Sequence, residues 1–188
     1  MGYLRAYYER MATLTEDEWQ RIASCFVCRE FAKGEALVQQ GETEQFLSFI
    51  ETGTVRYFLP NEDSELTFNF GFDREFACAY DSFLTQTPSE YQVEAMTDTV
   101  VWSISYDDLQ QVYAETQTGN YLGRMAAEQL LLAKSRRELS LLRYTAKERY
   151  LKLFRERNRI IREIPLKYIA SYIGITPQAL SRIRREIC

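Results

Sequence analysis

The chain has 188 residues, 46% of them hydrophobic and 14% aromatic, with a formal net charge of −4 at pH 7. It contains no histidine, which argues against a serine or cysteine hydrolase of the usual triad type and a His-ligated metalloenzyme. No apolar run reaches about 18 residues, the opening Met-Gly-Tyr-Leu-Arg lacks a signal-peptide core, and no Gly-rich phosphate loop is present, so the expectation is a folded cytoplasmic protein with no membrane partner.

The first predicted element is a helix. Thr15 can cap it, Glu16, Asp17 and Glu18 favour its positive end, and Leu14, Trp19, Ile22 and Phe26 form an apolar side. From Phe31 to Ile104 the pattern changes to short strands separated by turns. The turns are Lys33-Gly34-Glu35, Gln40-Gly41-Glu42, Thr52-Gly53-Thr54, Pro60-Asn61-Glu62-Asp63 and Asn69-Phe70-Gly71. The strands are centred on 36–38, 46–50, 55–59, 66–70 and 99–104, and their regular spacing predicts a sandwich or barrel. Cys25 and Cys28 have the spacing of a metal or redox pair. A zinc or iron–sulfur centre needs about four ligands, however, and Cys78 and Cys188 are single and distant, so free thiols and no metal site are expected.

After Ser105 the pattern turns helical. A short helix opens at Tyr106-Asp107-Asp108-Leu109, and a long one runs from about Asn120 to Leu142. Met125, Leu132 and Leu139 stand seven residues apart, and Tyr121 and Leu142 extend the seam. Such a stripe serves either as a dimer interface or as a face packed on the chain's own β-domain. Residues 145–161, dense in Lys and Arg, predict a further helix.

The last quarter reads as a helix-turn-helix. Ile169, Ala170 and Ile173 share one apolar stripe, and Gly174 stops that helix through the left-handed conformation that costs Gly nothing. Thr176 offers an N-cap oxygen, and Pro177 fits the first position of the next helix. On that helix Leu180, Ile183 and Ile187 point inward. Gln178, Ser181, Arg182 and Arg185 share another face, and all four carry chemistry suited to bases or phosphates. Charge supports a polyanion partner: residues 1–133 hold 8 basic against 22 acidic side chains (net −14), whereas residues 134–188 hold 15 against 5 (net +10).

Two segments, Phe31-Ala-Lys-Gly-Glu-Ala-Leu-Val-Gln-Gln-Gly-Glu42 and Ile169-Ala-Ser-Tyr-Ile-Gly-Ile-Thr-Pro-Gln-Ala-Leu-Ser-Arg-Ile-Arg184, together with the order of parts, resemble the Crp/Fnr family of bacterial transcription regulators, in its short-tailed Bacteroidetes-type form. The resemblance covers nearly the whole chain. It implies an α+β architecture: a double-stranded β-helix, or jelly-roll-like β-roll, of the cyclic-nucleotide-binding kind (1–115), a long dimerisation helix (116–143) and a DNA-binding helix-turn-helix (144–188). The implied protein is a homodimer that reads near-palindromic double-stranded DNA and is not an enzyme; RNA polymerase is a further partner that the resemblance raises. By resemblance Gln178 and Arg182 read bases, while Lys167, Thr176, Ser181 and Arg185 engage phosphates. Tyr121, Met125, Leu132 and Leu139 form the implied dimer seam. The sequence ends directly after the recognition helix, where many members of the family add a wing, so wing contacts are not expected.

The same resemblance places an effector pocket at Arg74, Glu75, Phe76, Ser89, Glu90 and Tyr91. Cyclic-nucleotide-binding members carry Gly-Glu-Leu followed by an Arg that pairs with the phosphate. This chain has Arg74-Glu75-Phe76, and Ser89-Glu90-Tyr91 where that Arg is expected. Without the bidentate cation a buried phosphate loses charge-assisted bonds, so tight cAMP binding is not expected. No cofactor is implied. The resemblance implies a roll that responds to an effector other than cAMP; the alternative is a DNA-binding dimer whose roll is purely structural and takes no effector.

Overall fold

The computed structural model describes residues 1–61 and 65–187. The turn expected at Pro60-Asn61-Glu62-Asp63 therefore lies partly, and Cys188 wholly, outside the described residues. In chain order the elements are α1 (Gly2–Glu9), α2 (Glu16–Ser24), β1 (Phe26–Phe31), β2 (Ala36–Val38), β3 (Phe46–Thr52), β4 (Thr54–Pro60), β5 (Glu65–Phe72) and β6 (Phe76–Ala77). Then come α3 (Tyr80–Thr85), β7 (Gln92–Ala95), β8 (Thr99–Ser105), α4 (Tyr106–Glu115), α5 (Gly119–Arg143), α6 (Ala146–Glu156), α7 (Asn158–Glu163), α8 (Leu166–Ile173) and α9 (Pro177–Ile187).

The strands form two four-stranded sheets, ordered β1-β8-β3-β6 and β2-β7-β4-β5. The turn spacing predicts a sandwich or barrel, and the two sheets form the β-roll that the resemblance implies. Gly53 takes φ 113 at the β3–β4 turn, and a Cβ there would stand 2.4 Å from the Thr99 hydroxyl oxygen, so only glycine fits.

α2 starts where the acidic turn indicates. Thr15 and Glu18 form a reciprocal capping box. It ends earlier than its apolar pattern suggests, however: Phe26 does not continue the helix but begins β1, pairing with Ile104 of β8. The reason is tertiary. Phe26 reaches the core as well from a strand as from a helix, and the β8 edge supplies its backbone partners.

Contacts divide the chain into two compact units, residues 1–57 with 70–129 and residues 58–69 with 130–188. In the first, Leu4, Trp19, Ile22, Phe49, Phe83, Ile104, Leu109 and Leu122 belong to one apolar core, which gathers α1, α2, α4 and the start of α5 around the strands. Each such side chain contributes roughly 1.5–3 kcal/mol when fully buried. In the second, Tyr150, Leu153, Ile160, Ile169, Ile173 and Leu180 are buried.

Two expectations for the second unit need correction. The helix expected over 145–161 is two helices, because Arg157 leaves helical geometry (φ −141, ψ 53) and Asn158, a poor interior helix residue, starts the next. Ile187 does not point inward; it is 37% exposed at the end of α9, whereas Leu180, one turn into the helix, is fully buried. Among the described residues no helix is long and apolar enough to cross a membrane.

Candidate nucleic-acid interface

The helix-turn-helix is built from its turn outward. Gly174 caps α8 at φ 85, its N–H bonding the Ala170 and Ser171 carbonyls, and the Ile175 N–H returns to Ala170. Thr176 then caps α9, its hydroxyl oxygen accepting from the Ala179 N–H at 3.2 Å. That leaves the Thr176 hydroxyl proton free to donate outward. Ile169, Ala170 and Ile173 on α8 and Leu180 on α9 are buried, which fixes which face of α9 looks out.

On that outer side Gln178, Arg182 and Arg185 are exposed and Ser181 is half-buried. Arg182 has no ion pair among the described residues. Two of the other side chains are turned onto their own helix. The Ser181 hydroxyl donates to the Pro177 carbonyl at 2.9 Å, and Arg185 Nε donates to the Ser181 carbonyl at 3.4 Å. The Ser181 hydroxyl donor is therefore taken up within its own helix, whereas the Gln178 and Arg182 side chains are exposed. Lys167, exposed near the start of α8, holds its ammonium over the Tyr168 ring at 4.5 Å. Glu186 on α9 pairs with Lys147 on α6 at 3.0 Å.

Sequence reasoning missed the residues that hold this module. Arg149 on α6 donates from Nε and Nη2 to the Ile173 carbonyl, at 3.0 and 2.8 Å, and from Nη1 to the Tyr144 carbonyl. Arg137 on α5 donates to the Tyr172 carbonyl and lies over the Tyr172 ring at 3.9 Å. Two guanidinium groups thus satisfy the last carbonyls of α8, where the helix dipole favours cations. Burial lowers the Arg137 pKa from its ordinary value, with Tyr172 opposing the shift and Arg149 and Arg157 adding to it.

On α5 the expected seam residues are largely unburied. Tyr121, Leu132 and Leu139 are 41%, 55% and 61% exposed, Met125 is half-buried, and Leu131 and Leu142 are exposed beside them.

The expected effector residues fall into two groups with different partners. Arg74, in the left-handed region at φ 68, lays its guanidinium over the Tyr3 ring at 4.2 Å. The exposed Glu75 accepts from the Phe72 N–H, closing that turn, and the Phe76 ring packs on Tyr7 and Phe49 at 5.2 and 5.3 Å. Ser89 is buried and bonded to the backbone of Tyr91 in both directions, Glu90 is exposed, and the Tyr91 hydroxyl donates to Asp81 at 2.5 Å.

The sequence reading also missed three buried polar residues, Glu44, Tyr57 and Ser82; the Tyr57 ring lies 6.5 Å from that of Tyr91. Glu44 is 4% exposed, and its carboxylate accepts from the Phe46 and Ala79 N–H groups at 3.1 and 3.2 Å. Its own N–H donates to the buried Ser82 hydroxyl. Tyr57 accepts from the Cys78 N–H through its hydroxyl at 3.3 Å. Burial pushes the Glu44 pKa up, against the backbone N–H groups of Phe46, Ala79 and Gln45 and the charge of Arg29, which pull it down. Cys25 is buried, Cys28 exposed and Cys78 half-buried, all as free thiols.

Residues 28–116 match the sequence profile of the cyclic nucleotide-binding domain. No curated protein matches the chain. Among solved structures the chain is similar to the c-di-GMP responsive global regulator CLP of Xanthomonas campestris, at 16% identity and a TM-score of 0.71, covering 92% of this chain and 91% of that one. It is also similar to FixK2 of Bradyrhizobium japonicum (21% identity, TM-score 0.70, covering 86% and 84%). A third similar chain, from Eubacterium rectale and described as of the Crp/Fnr family, has 18% identity and a TM-score of 0.64, covering 93% and 83%. Residues 28–116 thus match the cyclic nucleotide-binding domain model, and the chain as a whole has the fold of these solved structures.

Proposed function

We propose that the chain is a DNA-binding transcription regulator of the Crp/Fnr type, acting in the cytoplasm as a homodimer on a near-palindromic operator. The observation that carries this reading is α9 itself: a buried Leu180 on one side, and Gln178 and Arg182 exposed on the other, within a segment of net charge +10. Gln178 and Arg182 are the base readers. Arg182 suits the O6 and N7 atoms of guanine, and Gln178 suits adenine. Lys167, Thr176, Ser181 and Arg185 set register through phosphates. Residues 1–115 are the roll, 116–143 the dimerisation helix and 144–188 the DNA-binding part. The exposed leucines of α5 support the dimer, because an apolar stripe of that length in water marks a partner surface.

One observation favours a roll that takes no cyclic nucleotide. The Cys78 and Ala79 N–H groups, just ahead of α3, already meet Tyr57 and Glu44, and Ser89 stands where a phosphate-pairing Arg is expected. A second carboxylate, the exposed Glu90, repels an incoming phosphate. RNA polymerase is the partner of this reading wherever the operator places the dimer beside a promoter.

The deciding experiment is selection of bound DNA from a random duplex pool by the purified protein without added ligand. Recovery of a palindrome with half-sites about one helical turn apart is the expected result. Recovery of no enriched sequence overturns sequence-specific DNA binding by the ligand-free dimer.

A further inference from the structure

The far end of the β4–β5 hairpin, residues 58–69, belongs to the same compact unit as α6–α9. One side chain makes much of the join. The Ser171 hydroxyl on α8 donates to the Glu65 carbonyl at 2.8 Å and accepts from the Thr67 N–H, also at 2.8 Å. It thus fills one donor and one acceptor on β5, as a neighbouring strand would. Arg157 Nη1 reaches the Asn69 side-chain oxygen at 3.1 Å, fastening the strand two residues further on.

The join carries a cost. Thr67 is 1% exposed, and its hydroxyl has no hydrogen-bond partner among the described residues. A buried, unsatisfied hydroxyl costs free energy at this point of β5, beside the two bonds to Ser171. Its position matters as much. Glu65 and Leu66 share an open cleft of about 470 Å³ with Lys167, Ser171, Thr176 and Pro177. Lys167 and Thr176 are phosphate-contacting residues in the reading above, so the hairpin brings an acidic residue to the place a phosphate approaches.

We propose that Ser171 is an autoinhibitory latch. It holds the hairpin against α8 so that Glu65 obstructs the phosphate-contacting side of the helix-turn-helix, and DNA binding requires the latch to open. This inference rests on the DNA-binding reading. Apparent affinity is reduced by the fraction of molecules that are open, so weakening the latch tightens binding.

The test uses the full chain as wild type, Ser171→Ala, Ser171→Thr and Glu65→Gln. Binding is read by anisotropy on a random-sequence duplex of about 30 base pairs, three helical turns, at low salt. Hydrogen exchange of the Thr67 amide is followed with and without that duplex. Ser171→Ala removes both bonds and is expected to bind about tenfold tighter. Ser171→Thr, which keeps the hydroxyl, stays near wild type, and Glu65→Gln gains a smaller factor. The Thr67 amide exchanges slowly in the free wild type, fast in Ser171→Ala, and fast in the wild type once duplex is added. Unchanged or weaker binding by a folded Ser171→Ala overturns the latch, as does a Thr67 amide that stays protected on DNA. If no variant binds duplex, the brake on DNA binding falls too. A protected Thr67 amide then puts the fault in the DNA-binding reading, and an unprotected one puts it in the latch.

Discussion

Glu44 places a carboxylate inside the roll at 4% exposure, and the consequence is a pH dependence of stability. Burial holds its folded pKa above the ordinary value of 4.5. Folding is therefore linked to proton uptake at this group. Its contribution is fully present below the unfolded pKa and is lost as pH rises through the folded one. Glu44→Gln does not titrate, so wild type should lose stability relative to Glu44→Gln as pH is raised from about 4.5 to neutrality. Thermal melts of both proteins across that range check this; a difference independent of pH removes Glu44 as a buried titrating group. Arg182 is a different case, exposed and without an ion pair among the described residues. Arg182→Ala should cost about 1–3 kcal/mol of DNA affinity and relax discrimination at one base pair per half-site. Equal loss on every sequence would assign Arg182 to phosphates instead.

At the scale of elements, α8 is secured at its carboxyl end by side chains from two other helices. Arg149 bridges the Ile173 and Tyr144 carbonyls, so it ties the end of α8 to the segment joining α5 and α6. Charge-assisted bonds of this kind contribute about 1.5–3 kcal/mol each. Arg149→Ala is therefore expected to lower the urea midpoint by an amount worth at least about 1.5 kcal/mol. Arg149→Lys should recover only part of this, since an ammonium lacks the planar fork that serves two carbonyls at once. An unfolding midpoint equal to wild type in Arg149→Ala would show that water replaces the clamp at no cost. The turn between α8 and α9 was legible beforehand, because Gly174, Thr176 and Pro177 act through local backbone geometry. The break at Arg157 was not: Asn158 disfavours a helix interior too weakly to mark a break by itself, and the Arg157 side chain bonds Asn69, 88 residues away.

For the whole molecule the main exposed apolar feature of α5 is its leucine stripe. Leu132 and Leu139 are more than half exposed in the single chain. In the proposed dimer, Leu132→Glu should weaken association and, with it, DNA binding, because a charge would be buried in an apolar seam. Sedimentation that still shows an unchanged dimer would move the interface elsewhere. Five strands of the roll (β2, β3, β4, β5 and β8), the long helix and the helix-turn-helix were readable from periodicity, turn residues and caps, which depend on neighbours within a few positions, whereas β1, β6 and β7 were not. The division of charge, −14 followed by +10, was likewise complete in the sequence. What only the folded chain decided is the partnership of buried polar groups. Glu44 finds Ala79 across 35 residues, Arg137 finds Tyr172 across 35, and Ser171 finds Thr67 across 104. No local pattern encodes such pairings, because a buried donor must be satisfied by whatever acceptor the chain's reversals bring within about 3 Å, and that acceptor is most often an anonymous backbone group.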